Sequence, residues 1–274
     1  MPDVIINGPE GRIEARYHHA RAPAAPMAIV LHPHPQHGGT MNNKVVYTLY
    51  QCFVRHGFST LRFNFRGVGR SQGYFDNGPG ELVDAASALD WLQLQNPNSR
   101  SCWIAGVSFG TWIAMQLLMR RPEIAGFICV APPANLYDYT FLAPCPTSGL
   151  LINGDKDRVV PSNSVAELAA KTKIHKGIKI EHTIVAGANH FFQDKIEELT
   201  QIVGAYVDRR MGEIDKARKE KELASGDVPR ARASARQKLS PSTPTTGGTT
   251  WAFSRAWGGR LLCGFRFSAC PHPP

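Results

Sequence analysis

Short apolar runs alternate with segments of helical periodicity from residue 4 to residue 210, and this alternation constrains the fold more than any other feature. Met27–Leu31 is continuously apolar, which is typical of a strand buried on both faces of a sheet. Asn43–Arg55 then carries apolar residues at helical spacing and is closely followed by Gly57. Because this pattern repeats, it predicts an α/β fold in which helices cover both faces of a mostly parallel sheet of about eight strands.

The sequence changes character after residue 211. Residues 212–223 are charged and extend the last predicted helix, whereas residues 228–274 contain no Asp or Glu. Residues 240–250 are rich in Ser, Pro, Thr and Gly, a composition that does not build a packed core. We therefore expect one domain over residues 1–211 and a tail over residues 212–274 that is first charged and then disordered.

The formal net charge of +9 is concentrated in that tail. Residues 211–274 hold 11 Lys and Arg against 5 Asp and Glu, while residues 1–210 hold 20 against 17. The domain is nearly balanced in charge, so we expect it to bind no nucleic acid. The basic and aromatic residues from 251 onward are compatible with a nucleic-acid or membrane contact, and the simpler alternative is an extension without a role.

Segments that would direct the chain into or across a membrane are not evident in the sequence. No run of about 18 apolar residues is present, and the N-terminus lacks the basic and apolar regions of a signal peptide. The six cysteines are scattered, without a C-x-x-C pair or the density of a disulfide scaffold. We expect a cytoplasmic protein without membrane contact, and the sequence leaves homo-oligomer formation open.

The strongest local signal is Gly106-Val107-Ser108-Phe109-Gly110, a G-x-S-x-G pattern between an apolar strand and an apolar helix. Small residues two before and two after the serine allow a sharp strand-to-helix turn, a nucleophile elbow. Such a turn holds the Ser108 hydroxyl above the sheet edge, where the helix N-terminus adds partial positive charge. The alternative is an ordinary turn whose serine caps the helix.

A serine hydroxyl becomes a strong nucleophile only beside a base that is itself oriented by an acid. In chain order the acid and then the histidine should follow the serine, each on a loop after a later strand. Asp155 and Asp157 follow one predicted strand, and His190 follows the next. The order predicts a catalytic triad of Ser108, His190 and one of these two aspartates.

An acyl-transfer enzyme also requires two backbone N–H donors where the oxyanion develops. Phe109, directly after the serine, supplies one of them. The loop after the first buried strand begins His32-Pro33-His34-Pro35-Gln36, and proline has no N–H. Only His34 and Gln36 can donate there, and we favour His34 because the flanking prolines restrict its backbone.

Two other patterns in the sequence are not favoured. Residues 32–37 contain H-x-H-x-x-H, but Pro35-Gln36 occupies the space where binuclear zinc hydrolases carry an Asp-His pair. Residues 66–73 are similar to a dinucleotide loop, but Gln72 stands where that pattern requires glycine. We therefore expect no metal and no cofactor. Arg66 and Arg70 in this loop either steer an anionic substrate or are simply solvated.

Five stretches carry a resemblance to a known family: LHPHPQHGGTMNNKVV, LRFNFRGVGRSQG, GVSFG, NGDKDRVVP and GANHFF. On these, residues 4–210 resemble α/β-hydrolases, and closely the small bacterial members without a cap. The wider resemblance extends to serine aminopeptidases and X-Pro dipeptidyl-peptidase-type domains. It implies an α/β-hydrolase fold, Asp157 rather than Asp155 as the acid, and an oxyanion donor at His34. Pro33 in place of a glycine and Asn64 in place of an aspartate depart from the family pattern.

The segment between Ala131 and Ser148 is where many lipases insert a helical lid. It is short here and carries four prolines, which disfavour a long helix. We expect an open site that suits small to medium soluble acyl substrates, and the candidate wall residues are Tyr137, Tyr139, Phe141 and Leu142. The alternative for these four side chains is ordinary packing beneath a loop.

The sequence therefore predicts a serine hydrolase that cleaves a carboxylic ester through an acyl-enzyme intermediate. The same triad serves thioesters and amides, so a thioesterase or a peptidase is an alternative. A hydrolase-fold scaffold that only binds is a further alternative, which three triad residues in the required order disfavour.

Overall fold

The protein is described by a computed structural model covering residues 3–172 and 177–225. Within these residues eight strands form one sheet in the spatial order β1-β2-β4-β3-β5-β6-β7-β8. The strands are β1 (Asp3–Gly8), β2 (Gly11–His18), β3 (Met27–Leu31), β4 (Ser59–Phe63), β5 (Cys102–Val107), β6 (Ile124–Val130), β7 (Gly149–Gly154) and β8 (Ile180–Val185). The β1–β2 and β2–β4 pairs are antiparallel and the rest are parallel, which confirms the predicted sheet.

Helices cover both faces of this sheet. Those of the described chain are α1 (Lys44–Arg55), α2 (Pro79–Gln95), α3 (Phe109–Leu118), α4 (Ser162–Thr172) and α5 (Ile196–Ser225). One apolar core lies under α1 and α5, and the other lies under α2, α3 and α4. Because successive strand residues point to opposite faces, Trp103 of β5 enters the first core and Ile104 enters the second.

The last helix extends beyond the predicted domain boundary at residue 211. α5 runs to Ser225 without a break, since Ile214 still packs against the first core and Asp215 lies 3.4 Å from Arg100. The helix therefore extends through residues 212–225, which the sequence analysis assigns to the charged first part of the tail. The rest of the predicted tail, residues 226–274, lies outside the described residues, and its disorder stays a prediction.

The carboxyl ends of the parallel strands meet at one edge of the sheet. The loops that follow β3, β4, β5, β6, β7 and β8 all lie at this edge, which is where open α/β sheets place their ligands. In the described residues, the segment between β6 and β7 forms only a short turn at Thr140–Leu142, so no cap domain covers the edge. None of the described helices is long and apolar enough to cross a membrane.

Candidate active site

Ser108 lies at the sharp turn between β5 and α3. Its backbone has φ 50° and ψ −122°, a left-handed conformation that few non-glycine residues adopt. A Cβ on Gly106 would come within 2.5 Å of the Gly110 carbonyl oxygen, and one on Gly110 would come equally close to that of His32. The turn therefore requires glycine at both positions, as the G-x-S-x-G pattern predicts.

Ser108, His190 and Asp157 form a continuous hydrogen-bonded chain across three loops. The Ser108 Oγ lies 3.1 Å from His190 Nε2, and His190 Nδ1 lies 2.8 Å from Asp157 Oδ2. Since a carboxylate only accepts, Nδ1–H donates to Asp157 and the Nε2 lone pair is left to accept the Ser108 proton. This is the geometry that a serine, a general base and an orienting acid require.

The Asp157 carboxylate is held from its other side by backbone amides. Asp157 Oδ1 accepts hydrogen bonds of 2.8 Å from the amides of both Val159 and Val160, and the side chain is 0% exposed. Asp155 instead accepts a hydrogen bond of 2.6 Å from the Gly187 amide, which connects the loop after β7 to the loop after β8. The structure thus brings Asp157 and not Asp155 to the histidine.

The two backbone amides that the sequence predicts as oxyanion donors are those of His34 and Phe109. Neither the His34 nor the Phe109 N–H donates a hydrogen bond within the described part of the chain. The amide of Gln36, the alternative donor, is already used because it donates to His34 Nδ1 at 3.2 Å. The predicted pair, His34 and Phe109, therefore stays available for a substrate oxygen.

His32 connects the loop after β3 to the loop after β4. Its Nε2 accepts the Phe65 amide at 3.0 Å, so its Nδ1 carries the proton and donates to the Pro33 carbonyl at 2.6 Å. Burial lowers the pKa of His32 to about 4, and the ring is neutral at pH 7. Because both ring nitrogens are used, His32 fixes the backbone that presents His34. The described residues contain no group of three or more His, Cys, Asp or Glu able to hold a metal ion.

Asn64, which departs from the family pattern, contacts Glu14 of β2. Asn64 Nδ2 donates to Glu14 Oε2 at 2.9 Å, while Oδ1 accepts the Met41 amide at 2.8 Å. An aspartate here would lack the donor and would place two carboxylates together. The asparagine therefore ties the loop after β4 to β2 and to the start of α1.

Arg66 does not steer substrates, so that interpretation is wrong. Its Nε and Nη2 donate to Asp84 Oδ2 and Oδ1 at 2.9 and 2.8 Å, and both side chains are buried. The bidentate pair is used to attach the loop to α2. Arg70 remains exposed, and its amide is bound to Glu14.

The four candidate wall residues are placed differently from one another. Tyr139 and Leu142 are only 7% and 3% exposed and belong to the second core, and Phe141 stacks on Tyr139. Tyr137 is half-buried, and its ring lies 5.7 Å from that of Phe109. A cleft of about 380 Å³ between this segment and α4 is lined by Tyr137, Tyr139 and Leu142, but by no triad residue. Packing therefore accounts for Tyr139 and Leu142, whereas Tyr137 reaches the site.

Phe75 and Trp112 pack against the same rings, and the sequence patterns did not predict either residue. The Phe75 ring lies 4.7 Å from the His34 ring, and the Trp112 ring stacks on Tyr137 at 4.6 Å. Trp112 follows Phe109 by three residues on a helix, and this spacing puts both on one face. That spacing was a usable signal, whereas a loop aromatic such as Phe75 has no periodicity to identify it.

On the histidine side of Ser108 lies an open groove of about 700 Å³. It is lined by the loops after β7 and β8, and its residues are Asp155, Lys156, Asp157, Arg158, Val159, Asn189, His190 and Phe191. Phe191 is 54% exposed and Val159 is 45% exposed, so apolar surface is offered beside the base. The site is thus open on this side and enclosed by rings on the other.

Comparisons with known proteins agree with this architecture. The X-Pro dipeptidyl-peptidase (S15) family matches residues 12–233. A solved α/β-hydrolase of unknown function from Agrobacterium tumefaciens is 60% identical, with a TM-score of 0.75, over 77% of this chain and 97% of its own. An uncharacterized protein of Rickettsia prowazekii is 54% identical over 211 residues, which are 76% of this chain and 89% of that protein. A solved α/β serine hydrolase without a lid, from Xanthomonas campestris, is 30% identical, with a TM-score of 0.67, over 76% of this chain and 94% of its own.

Proposed function

The chain belongs to the X-Pro dipeptidyl-peptidase (S15) family of α/β-hydrolases, and from this premise we propose that it is a serine hydrolase whose nucleophile is Ser108. The observation that carries the proposal is the chain of hydrogen bonds from Ser108 through His190 to Asp157, at 3.1 and 2.8 Å. A scaffold that only binds has no need for a buried carboxylate aimed at a histidine, because burying a charge is costly.

The proposed reaction uses each of these groups in turn. His190 Nε2 takes the Ser108 proton while Oγ attacks the acyl carbon, and the imidazolium that forms is stabilised by Asp157. The amides of His34 and Phe109 bind the oxyanion of the tetrahedral intermediate. His190 then gives its proton to the leaving oxygen, and a water activated in the same way hydrolyses the acyl-enzyme.

We propose a carboxylic ester as the bond that is cleaved. An exopeptidase must bind a free amino group, which calls for an acid without a partner near Ser108. The buried carboxylates of the described residues are Glu81, Asp84 and Asp157. Glu81 accepts from the Asp76 and Gly78 amides, and Asp84 is paired with an arginine. None of these three is free for an amino group, which supports an ester over a peptide. The alternative is a peptidase, which the family's name favours and to which Asp155 in the open groove offers an exposed carboxylate.

The open edge of the sheet supports a small to medium soluble substrate. No cap encloses a long acyl chain in the described residues, and the groove beside His190 is open to solvent. A long-chain lipid would leave most of its apolar surface in water at such a site. We therefore propose turnover of short esters rather than of lipid aggregates.

A panel of three substrates with one acyl group tests the bond preference. The acetyl ester, acetyl thioester and acetyl anilide would each be incubated with the wild type and with Ser108→Ala, and a Xaa-Pro dipeptide anilide would be added as the peptidase substrate. We expect the highest kcat/KM for the ester and no turnover above background for the variant. A higher kcat/KM for the dipeptide anilide would establish the peptidase instead, and equal activity of the variant would exclude Ser108 as nucleophile.

A further inference from the structure

Aromatic rings from four parts of the chain pack around Phe109, the residue that follows Ser108. The buried ring of Phe109 lies 5.0 Å from His34, 5.9 Å from Phe75, 5.9 Å from Trp112 and 5.7 Å from Tyr137. Trp112 and Tyr137 stack at 4.6 Å, and His34 and Phe75 lie 4.7 Å apart. We call these five residues the aromatic wall. The proposed mechanism uses only two of their backbone amides and none of their rings.

The position of the wall relative to the proposed groups decides which part of a substrate it faces. The carbonyl oxygen must point to the amides of His34 and Phe109, which are wall residues, and the leaving oxygen must point to His190. The leaving group therefore enters the open groove of Val159 and Phe191. The acyl group is the remaining substituent of the reacting carbon, and on the side away from His190 it meets the wall.

The surface of the wall suits a flat aromatic group better than an alkyl chain. Four of its residues are only half-buried, so part of their surface is accessible, and no cap in the described residues encloses a tunnel for a long chain. Aromatic pairs gain about 0.5–1.5 kcal/mol beyond the area they bury, in offset or edge-on arrangements like those within the wall. An acyl group with an aromatic ring can extend the stack from one side. An alkyl chain gains only the free energy of burying its apolar surface.

Tyr137 adds a polar group to this surface. Its hydroxyl makes no hydrogen bond to any residue of the described chain, and burial raises its pKa, so it stays protonated and available as a donor. Tyr137 also lines the cleft of about 380 Å³, which continues the wall toward α4. A cleft of this size accommodates a small ligand group.

We propose that the aromatic wall is the acyl subsite and that the substrates of this enzyme are esters whose acyl group carries an aromatic ring. The inference rests on the proposed serine hydrolase function and names the substrate class of that same site. It assigns Phe75, Trp112 and Tyr137 as specificity-determining residues, because their rings, and not the triad, distinguish one acyl group from another.

The test compares methyl esters that share one leaving group. Methyl phenylpropanoate presents a flat ring, methyl cyclohexylpropanoate presents the same bulk without a π-face, and methyl hexanoate presents an alkyl chain. Turnover is followed by proton release, so no aromatic reporter is introduced. For the wild type we expect kcat/KM for the phenyl ester to exceed the other two by about tenfold.

Variants then locate the preference on the wall. Tyr137→Leu and Phe75→Leu should each lower the ratio of kcat/KM for the phenyl ester to kcat/KM for the hexanoate by about three- to tenfold. Tyr137→Phe retains the ring and should retain the preference. Trp91→Leu is the matched control, since Trp91 is a half-buried aromatic that packs edge-on against Tyr17 and lies outside the wall. It should leave the ratio of the esters unchanged.

Labelling of Ser108 by a fluorophosphonate separates failure of this inference from failure of the proposed function. A wild type that is labelled but hydrolyses the three esters equally overturns the aromatic subsite alone. A phenyl preference that persists in both Tyr137→Leu and Phe75→Leu overturns its location on the wall. A folded wild type that is not labelled overturns the serine hydrolase and the subsite together.

Discussion

The two sides of Ser108 are built by different physical means. On the side of His190, a chain of hydrogen bonds joins the loops after β5, β7 and β8, and each polar atom of Asp157 has a defined partner. On the side of His34, the loop is shaped by backbone crowding, by the buried ring of His32 and by packed aromatic rings. The first side should therefore be sensitive to changes of protonation and the second to changes of shape.

The largest effect is expected from Asp157→Asn. The Val159 and Val160 amides require an acceptor, so the new side chain directs its oxygen to them and its NH₂ to His190 Nδ1. That nitrogen must then be unprotonated, which places the proton on Nε2, and the base can no longer accept from Ser108. We expect kcat to fall by about 10⁴-fold with little change in thermal stability, measured on a short ester and by calorimetry.

Asp155→Asn is the matched control for that change. Asp155 lies two residues away on the same loop but bonds the Gly187 amide rather than His190. We expect kcat within about threefold of the wild type, because an asparagine oxygen can accept the same bond. Equal losses for both variants would mean that the loop as a whole matters and that the contact with His190 does not.

A shape change on the opposite side should have the next largest effect. A Cβ on Gly39 would lie 2.1 Å from the Pro33 carbonyl oxygen, and the loop must open to accept it. Since this moves the His34 amide, Gly39→Ala should lower kcat by about 10–100-fold. Gly38→Ala is the control, because Gly38 has φ +76° but nothing within 4 Å of a Cβ. It should cost about 1 kcal/mol of stability and leave kcat unchanged; a loss of kcat there would contradict the special role of the His34 amide.

Acid should lower the free energy of unfolding through His32, which lies on the same side as His34. The pKa of His32 is about 4 in the folded chain against 6.5 in the unfolded one, so the stability gained by keeping it neutral is fully present above pH 6.5 and is lost as the pH falls toward 4. This amounts to about 3 kcal/mol. In urea titrations His32→Gln should be less stable than the wild type at pH 7 but lose about 3 kcal/mol less on acidification. Parallel losses in both proteins would assign the acid sensitivity to other groups.

The smallest effect is expected at Asn64, whose side chain bonds Met41 and Glu14 rather than the triad or His34. Asn64→Asp removes the donor to Glu14 and should lower the free energy of unfolding by about 1–3 kcal/mol at pH 7. Adding Glu14→Gln supplies a new donor and should restore most of that stability, as denaturant titration would reveal. If Glu14→Gln does not restore the stability of Asn64→Asp, the contact between Asn64 and Glu14 is not the reason for asparagine at this position.

The hydrogen-bonded side was largely predictable from the sequence. Strand ends locate Ser108, Asp157 and His190 at one edge, because parallel strands finish together, and the order of the three residues suggests how they combine. The preference for Asp157 over Asp155 came from family resemblance. The amides of Val159 and Val160 that hold Asp157 were not foreseen, since nothing in a sequence shows where a backbone N–H points.

The packed side was predicted less well. Proline's missing N–H reduced the expected oxyanion donors in the loop to His34 and Gln36, but the wall around His34 depends on which rings the fold brings together. Tyr139 and Leu142 entered the core, while Phe75 and Trp112 joined the aromatic wall. The sequence offers Arg66 as a loop cation, whereas in the structure it is paired with Asp84, 18 residues later. Such contacts are tertiary, and local patterns do not contain them.

The central claim is that Ser108 is an activated nucleophile. The most direct measurement is fluorophosphonate labelling of the purified full chain, with the modified residue located by peptide mass spectrometry, in the wild type, Ser108→Ala and Asp157→Asn. We expect one label per chain on Ser108, none in Ser108→Ala, and labelling slowed by orders of magnitude in Asp157→Asn. Absence of label on the folded wild type would contradict this claim. Equal labelling of the wild type and Ser108→Ala would contradict it as well.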